Sequence, residues 1–418
     1  MAVYTLQGQF DHQDRTSTSL IFSLFVMAAC VLVATAPIYW LPGLPLPVLT
    51  AVKNAAFFTA VALAVVVSGA RFLQFGIAAP FIIAAVLNFS AFQLNGSGEY
   101  AVYQAFTFLA PMAWVLAIRS LSRDQSAILL RYLPLPLGLV MVAAAYALLA
   151  KFGAVPDFRP PLEGLQLREY QLSGLARASV SNSGFTFART GWGTGTGMAL
   201  VLLGSLLISR HRNWAGLAVL ALAVIAPAAM GGRGAAVGAM AAFALAVLYL
   251  RQLGHLRIPL ILGMAVVPVV SIDYLVSAGI LSERFFNIRS NTDWFFMLDA
   301  MSTGRLSTWI HAIENFAESP LIGVGVEQSR LAIYTGQVVS VHNAWLAFLS
   351  EGGLMAFLPA AFLFFWCLGM VWRIREFRPL IAFVIVISMV EPGVMFGSFG
   401  NQVSIWTAVG LAMRAFRR

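Results

Sequence analysis

Charge is scarce in this chain. Of 418 residues only 10% are charged, whereas 60% are hydrophobic and the mean hydropathy is +0.83; soluble domains carry roughly 25% charged residues. That imbalance excludes soluble dehydrogenases, nucleic-acid factors and secreted scaffolds. Cysteine is nearly absent, with only Cys30 and Cys367, both inside apolar runs. Neither a disulfide framework nor a thiolate metal cluster can be built from them. Lysine is also rare: Lys53 and Lys151 are the only two among 26 basic residues. The net charge of +9 comes without a basic stripe interleaved with aromatics, so it points to topology signals and anionic ligands, with no nucleic-acid partner.

What the chain has in abundance is long apolar runs. A polar start containing Asp11, Asp14 and Arg15 leads into a mostly apolar run ending near Trp40, too long for a signal-peptide core and read as an uncleaved first span. Further runs fall at about 50–70, 72–93, 101–118, 128–150, 192–209, 214–231, 234–250, 258–280, 344–372, 379–398 and 402–415. The expectation is an all-α polytopic integral membrane protein with about twelve transmembrane helices in one domain over 1–418. No internal repeat of helix groups is visible, which weighs against an inverted-repeat transporter.

Charge placement orients these spans. One set of alternate ends carries fifteen arginines, among them Arg119, Arg210, Arg251, Arg373 and Arg378, against Lys53 and Arg233 in the short loops opposite. By the positive-inside rule the first set is cytoplasmic, both termini included. The two long polar segments, 151–191 and 281–343, are then external, and their arginines are not needed for orientation.

The second of these segments is the richer. From Leu306 to Ala317 the apolar residues Leu306, Trp309, Ile310, Ile313, Phe316 and Ala317 recur at helical spacing, opposite Ser307, His311, Glu314 and Glu318. The pattern predicts an amphipathic helix lying on the membrane surface, started near Arg305 and ended by Ser319-Pro320. His342, where the loop meets the tenth span, is a candidate general base fixed at the water–lipid boundary by a long rigid helix; the plain alternative is a helix-end histidine bonded to backbone. His311 reads as part of a solvated charge pairing with Glu314 and Glu318. Arg233, in the tight turn of AMGGRGAAVG, and Arg189, at the start of the sixth span, are cations held near membrane depth. For Arg305 and Arg233 the plain alternative is a headgroup-seeking side chain. Glu351 is placed about 13 Å deeper than His342 on the same helix. It and Glu391, which precedes Pro392-Gly393 in a broken helix, read as acids paired with an interior cation or neutral, with no chemistry assigned. Asp273 and Asp299 are possible helpers. No Asp-x-Asp or Glu-x-Asp pair lies in the external loops and no metal-ligand spacing occurs, so no metal is expected.

Gly304-Arg305, Trp309, Pro320, Gly323, Gly325, His342-Asn343, Leu346 and Glu351-Gly352-Gly353 follow one another in an order and spacing that resembles the signature of the bacterial O-antigen ligase and O-antigen polymerase superfamily. Ten residues between His342 and Gly353 look like the spacing of the ligase branch, which polymerases largely share. The resemblance implies a GT-C-type, metal-independent, inverting glycosyltransferase of the bacterial inner membrane, with its active site at the periplasmic face. It also implies glycans on undecaprenyl diphosphate as substrate, no cofactor, surrounding membrane lipid and a chain-length regulator as a partner. In its terms the catalytic residues are His342, Arg305 and Arg233, and the diphosphate or glycan is bound by Arg189, Asn343, Trp309 and Arg284. The expected activity is polymerisation of lipid-linked repeat units into a surface polysaccharide. The alternatives are ligation to lipid A-core and, from another class, a flippase or transporter.

Overall fold

The computed structural model describes residues 19–35, 46–72, 74–151, 153–156, 189–229, 232–266, 299, 304–332, 338–339, 341–391, 394, 396 and 399–416. Among them the chain is helical almost throughout. The helices are α1 (Leu20–Thr35), α2 (Leu46–Ser68), α3 (Phe75–Leu94), α4 (Gly98–Arg119), α5 (Arg123–Tyr132), α6 (Pro134–Lys151), α7 (Arg189–Ser209), α8 (Asn213–Ala229), α9 (Arg233–Tyr249), α10 (Arg305–Glu318), α11 (Ala344–Trp372), α12 (Arg378–Ser388) and α13 (Phe399–Ala415). A further apolar helix covers Gln252–Val266. Five stretches are long and apolar enough to cross a membrane: Val48–Phe72, Phe75–Leu94, Gly98–Arg119, Arg123–Ala150 and Ala344–Trp372. Every apolar run of the sequence contains helix, and the architecture is that of an all-α membrane protein. Among the described residues the only strands form a two-residue antiparallel ladder, β1 (Leu331–Ala332) with β2 (Val338–Val339), inside the second long loop.

Sequence neighbours pack as hairpins, α1 on α2, α3 on α4, α7 on α8 and α8 on α9, while α13 lies against both α4 and α7, α11 on α3 and α12 on α9. The centre is α7, in which every residue from 193 to 206 is buried. A helix buried all round needs small residues where neighbours cross it. A Cβ at Gly197 would fall 2.7 Å from the Phe383 ring of α12, and one at Gly204 2.7 Å from Leu220 of α8. Gly197 and Gly204 therefore serve helix contact. A Cβ at Gly193 would lie 2.9 Å from Ala235 Cβ and 3.9 Å from Gly232 Cα, so the starts of α7 and α9 come together.

The eleventh apolar run, 379–398, is broken as the Pro392-Gly393 pair implied: its helix stops at Ser388, and the backbone leaves the helix before Glu391. The tenth is no long rigid helix: α11 breaks at Gly353, whose φ of 60° and ψ of −162° are non-helical. Its arm 344–352 folds back on its arm 354–372, so that the Trp345 ring meets those of Phe357, Phe364 and Phe365 at 6.1, 4.6 and 5.7 Å. The loop between α10 and the ladder stitches this bend. Val324 and Gly325 N–H donate to the carbonyls of Ser350 and Glu351, and Leu354 and Met355 N–H donate to those of Pro320 and Leu321. The break frees these four groups of α11 from the intrahelical pattern, and the loop satisfies them. Asn95 Nδ2, in the α3–α4 turn, donates to both Ile322 O (2.8 Å) and Glu351 O (2.7 Å).

Candidate active site

α10 begins at the break after α12 and ends at the bend of α11. Gly304 precedes it at φ 80°, and the Asp299 carboxylate accepts from Ser307 N–H (2.9 Å) and Oγ (2.6 Å), satisfying a donor in the first turn. Asp299 is thus a helix-start residue in this structure. Since α10 runs beside the arm 344–352 from one end to the other, it does not lie with its apolar stripe pressed on the protein. The face it buries is Thr308, Ala312 and Asn315, whose small or polar side chains permit close approach, while Ile310 and Ile313 stay exposed. His311 Nε2 lies 3.2 Å from Gln328 O, and this backbone contact replaces the expected pairing with Glu314 and Glu318.

At the start of α10 three side chains converge. Arg305 Nη2 donates to Glu391 Oε1 at 3.0 Å, and His342 Nδ1 lies 3.4 Å from Glu391 Oε2. The carboxylate is 6% exposed, against 22% for the arginine and 30% for the imidazole, so a buried acid backs two groups that reach solvent. Among the described residues neither His342 Nε2 nor the other N–H groups of Arg305 have a protein partner. His342 precedes α11; Asn343 caps that helix by accepting from Trp345 and Leu346 N–H, and its Nδ2 donates to Met389 O at 3.1 Å. Trp309 Nε1 donates to His342 O at 3.3 Å. Asn343 and Trp309 hold the backbone around His342.

The start of α9 abuts the same carboxylate. A Cβ at Gly234 would fall 3.0 Å from Glu391 Oε1 and 2.9 Å from Val390 Cγ2. Arg233, the first residue of α9, is therefore brought to this end of the bundle, and so is the start of α7 with Arg189. The side chains of Arg233 and Arg189 lie outside the described residues, as do Arg284 and Asp273. At the opposite ends of α9, α11 and α12, Arg375 and Arg378 pack on Tyr249 and Trp372. The arginine-rich ends and the candidate site thus lie at opposite ends of α9 and α12.

Trp345 packs near Phe364, eleven residues beyond the bend at Gly353, which at 1.5 Å per residue sets His342 about 16 Å along α11 from the bend. Glu351 is at the bend itself, where Ser329 Oγ donates to it at 3.2 Å. Of the two sequence readings of Glu391, paired with an interior cation or neutral, the structure shows the pairing, with Arg305; its partners could not be named beforehand because they lie 86 and 49 positions away. Among the described residues no three His, Cys, Asp or Glu side chains gather as a metal site.

Residues 217–361 match the family model described as O-Antigen ligase. Over that stretch the chain is similar to the O-antigen ligase family. The matched segment holds Arg233, Arg305, His342 and the bend at Gly353, and Glu391 falls beyond it. No curated protein matches the chain. Gly323 and Gly353, both within the matched stretch, have a physical reason here. A Cβ at Gly323 would sit 2.5 Å from the Gly352 nitrogen, and one at Gly353 2.5 Å from the Leu321 carbonyl, so loop and bend meet backbone to backbone.

Proposed function

We propose that the protein is an inverting, metal-independent glycosyltransferase that moves a glycan from undecaprenyl diphosphate to a sugar hydroxyl at the periplasmic face of the inner membrane. The observation that carries this reading is the pairing of one imidazole, free at Nε2, with a guanidinium that still has open N–H groups, both held by a buried carboxylate. His342 Nε2 takes the proton of the acceptor hydroxyl as its oxygen bonds to the anomeric carbon from the face opposite the diphosphate. The anomeric C–O bond breaks and its electron pair leaves with the diphosphate. Arg305, with Arg233 and Arg189 carried at neighbouring helix starts and Arg284 from the loop, stabilises that departing charge. The imidazolium then returns its proton to water. No glycosyl-enzyme forms, so no second carboxylate is required at the anomeric centre.

Within this chemistry we assign the acceptor as the next lipid-linked repeat unit, which makes the protein a polymerase, working with a chain-length regulator. The external loops show no added basic patch to receive a phosphorylated core. Ligation to lipid A-core is the second reading, favoured by the description of the matched family. Purified protein given lipid-linked repeat units alone is expected to yield a ladder of longer chains on a gel. A product formed only when lipid A-core is added would make it a ligase, and no transfer in either case would end the proposal. Arg305→Lys is expected to lower kcat/KM about 10-fold or more in the same assay, because a point charge cannot fork onto both carboxylate and phosphate oxygens.

A further inference from the structure

Resting on that reading, we infer that Glu391 is a positioning residue: through Oε2 it keeps the His342 proton on Nδ1, leaving Nε2 as the lone-pair nitrogen that faces the acceptor. The two carboxylate oxygens are divided between two elements. Oε1 accepts from Arg305 at the start of α10 and Oε2 faces His342 at 3.4 Å, ahead of α11. That second distance is long for a hydrogen bond, as catalytic contacts without substrate commonly are. A neutral imidazole has one donor and one acceptor nitrogen, and the group facing one of them decides which is which. A carboxylate only accepts, so the nitrogen beside it must carry the proton. Burial against α9, where Gly234 leaves no room for a Cβ, prevents Glu391 from turning away. The same carboxylate meets the imidazolium formed when Nε2 takes a proton, and so stabilises the charge generated during transfer.

An isosteric amide separates this role from simple filling of space. In Glu391→Gln the single carbonyl oxygen goes to Arg305, the charged donor, and the NH2 then faces His342 Nδ1. The imidazole must answer with a lone pair, moving its proton to Nε2 and disabling the base. The test is 15N NMR of the imidazole nitrogens in histidine-labelled full-length protein in nanodiscs, with His342→Ala identifying the signal among five histidines. Wild type is expected to show the Nδ1–H form at neutral pH and Glu391→Gln the Nε2–H form. An Nε2–H form in wild type overturns the inference and needs no folded Glu391 variant.

Transfer kinetics supply the second arm. Glu391→Gln alone is expected to lower kcat by about 10²-fold or more, and by less than about 3-fold when added to His342→Ala, because groups acting as a unit are not additive. Equal losses in both backgrounds would show that Glu391 does not act through His342. If wild type transfers no glycan at all, the proposed function fails, while the tautomer measurement still decides what Glu391 does.

Discussion

His342→Ala is expected to reduce kcat for glycan transfer by about 10²–10⁴-fold, the contribution of a positioned general base. Thermal unfolding should stay near that of wild type. The ring is 30% exposed and its polar contact is the one to Glu391. The hydrogen bond that ties this segment to α10 runs from Trp309 to the His342 backbone carbonyl, which alanine retains. Loss of activity with an unchanged melting temperature and intact binding of undecaprenyl diphosphate would assign the proton transfer to the imidazole. Full activity in the purified variant would remove the base from the proposed mechanism, whatever the arginines contribute.

Gly353→Ala is expected to destabilise the fold by about 3 kcal/mol or more. The residue sits at φ 60° and ψ −162°, a region essentially confined to glycine and costing other residues about 1–3 kcal/mol. The added Cβ would also meet the Leu321 carbonyl at 2.5 Å, and backbone stitched by four hydrogen bonds cannot step aside as a side-chain tip can. Because this bend folds the arm carrying His342 back toward Glu391, the variant should lose transfer activity together with stability. Gly369→Ala on the same helix is the control. Nothing lies within 4 Å of its Cβ, and alanine in a helix interior is favoured over glycine by roughly 0.8–1 kcal/mol, so its midpoint of denaturation should hold or rise. If Gly353→Ala melts with the control, the bend does not need glycine.

Particular residues show how far the sequence could be read. The apolar runs gave helices at every expected place, since hydrophobic length in a membrane leaves the backbone no other way to satisfy its own polar groups. Arg305 at the start of an amphipathic helix and His342 ahead of the tenth apolar run were found where the spacing put them. Periodicity reports which side of α10 is apolar and says nothing about which neighbour arrives: Thr308, Ala312 and Asn315 are the residues it buries, and α10 packs on α11. The backbone contacts of Trp309 and Asn343, at 342 and 389, could not be read from the sequence because they join residues 33 and 46 positions apart.

Sequence alone therefore determined the class of the molecule, the helical runs, the separation of a basic end from the loops, and two of the three members of the candidate site. These are local properties: hydropathy, helical period and the chemistry of single side chains. Only the tertiary structure decided that α11 doubles back at Gly353 and that Glu391 joins Arg305 to His342. Those facts depend on which distant backbones approach closely enough to exclude a Cβ and to leave a buried carboxylate facing two particular nitrogens.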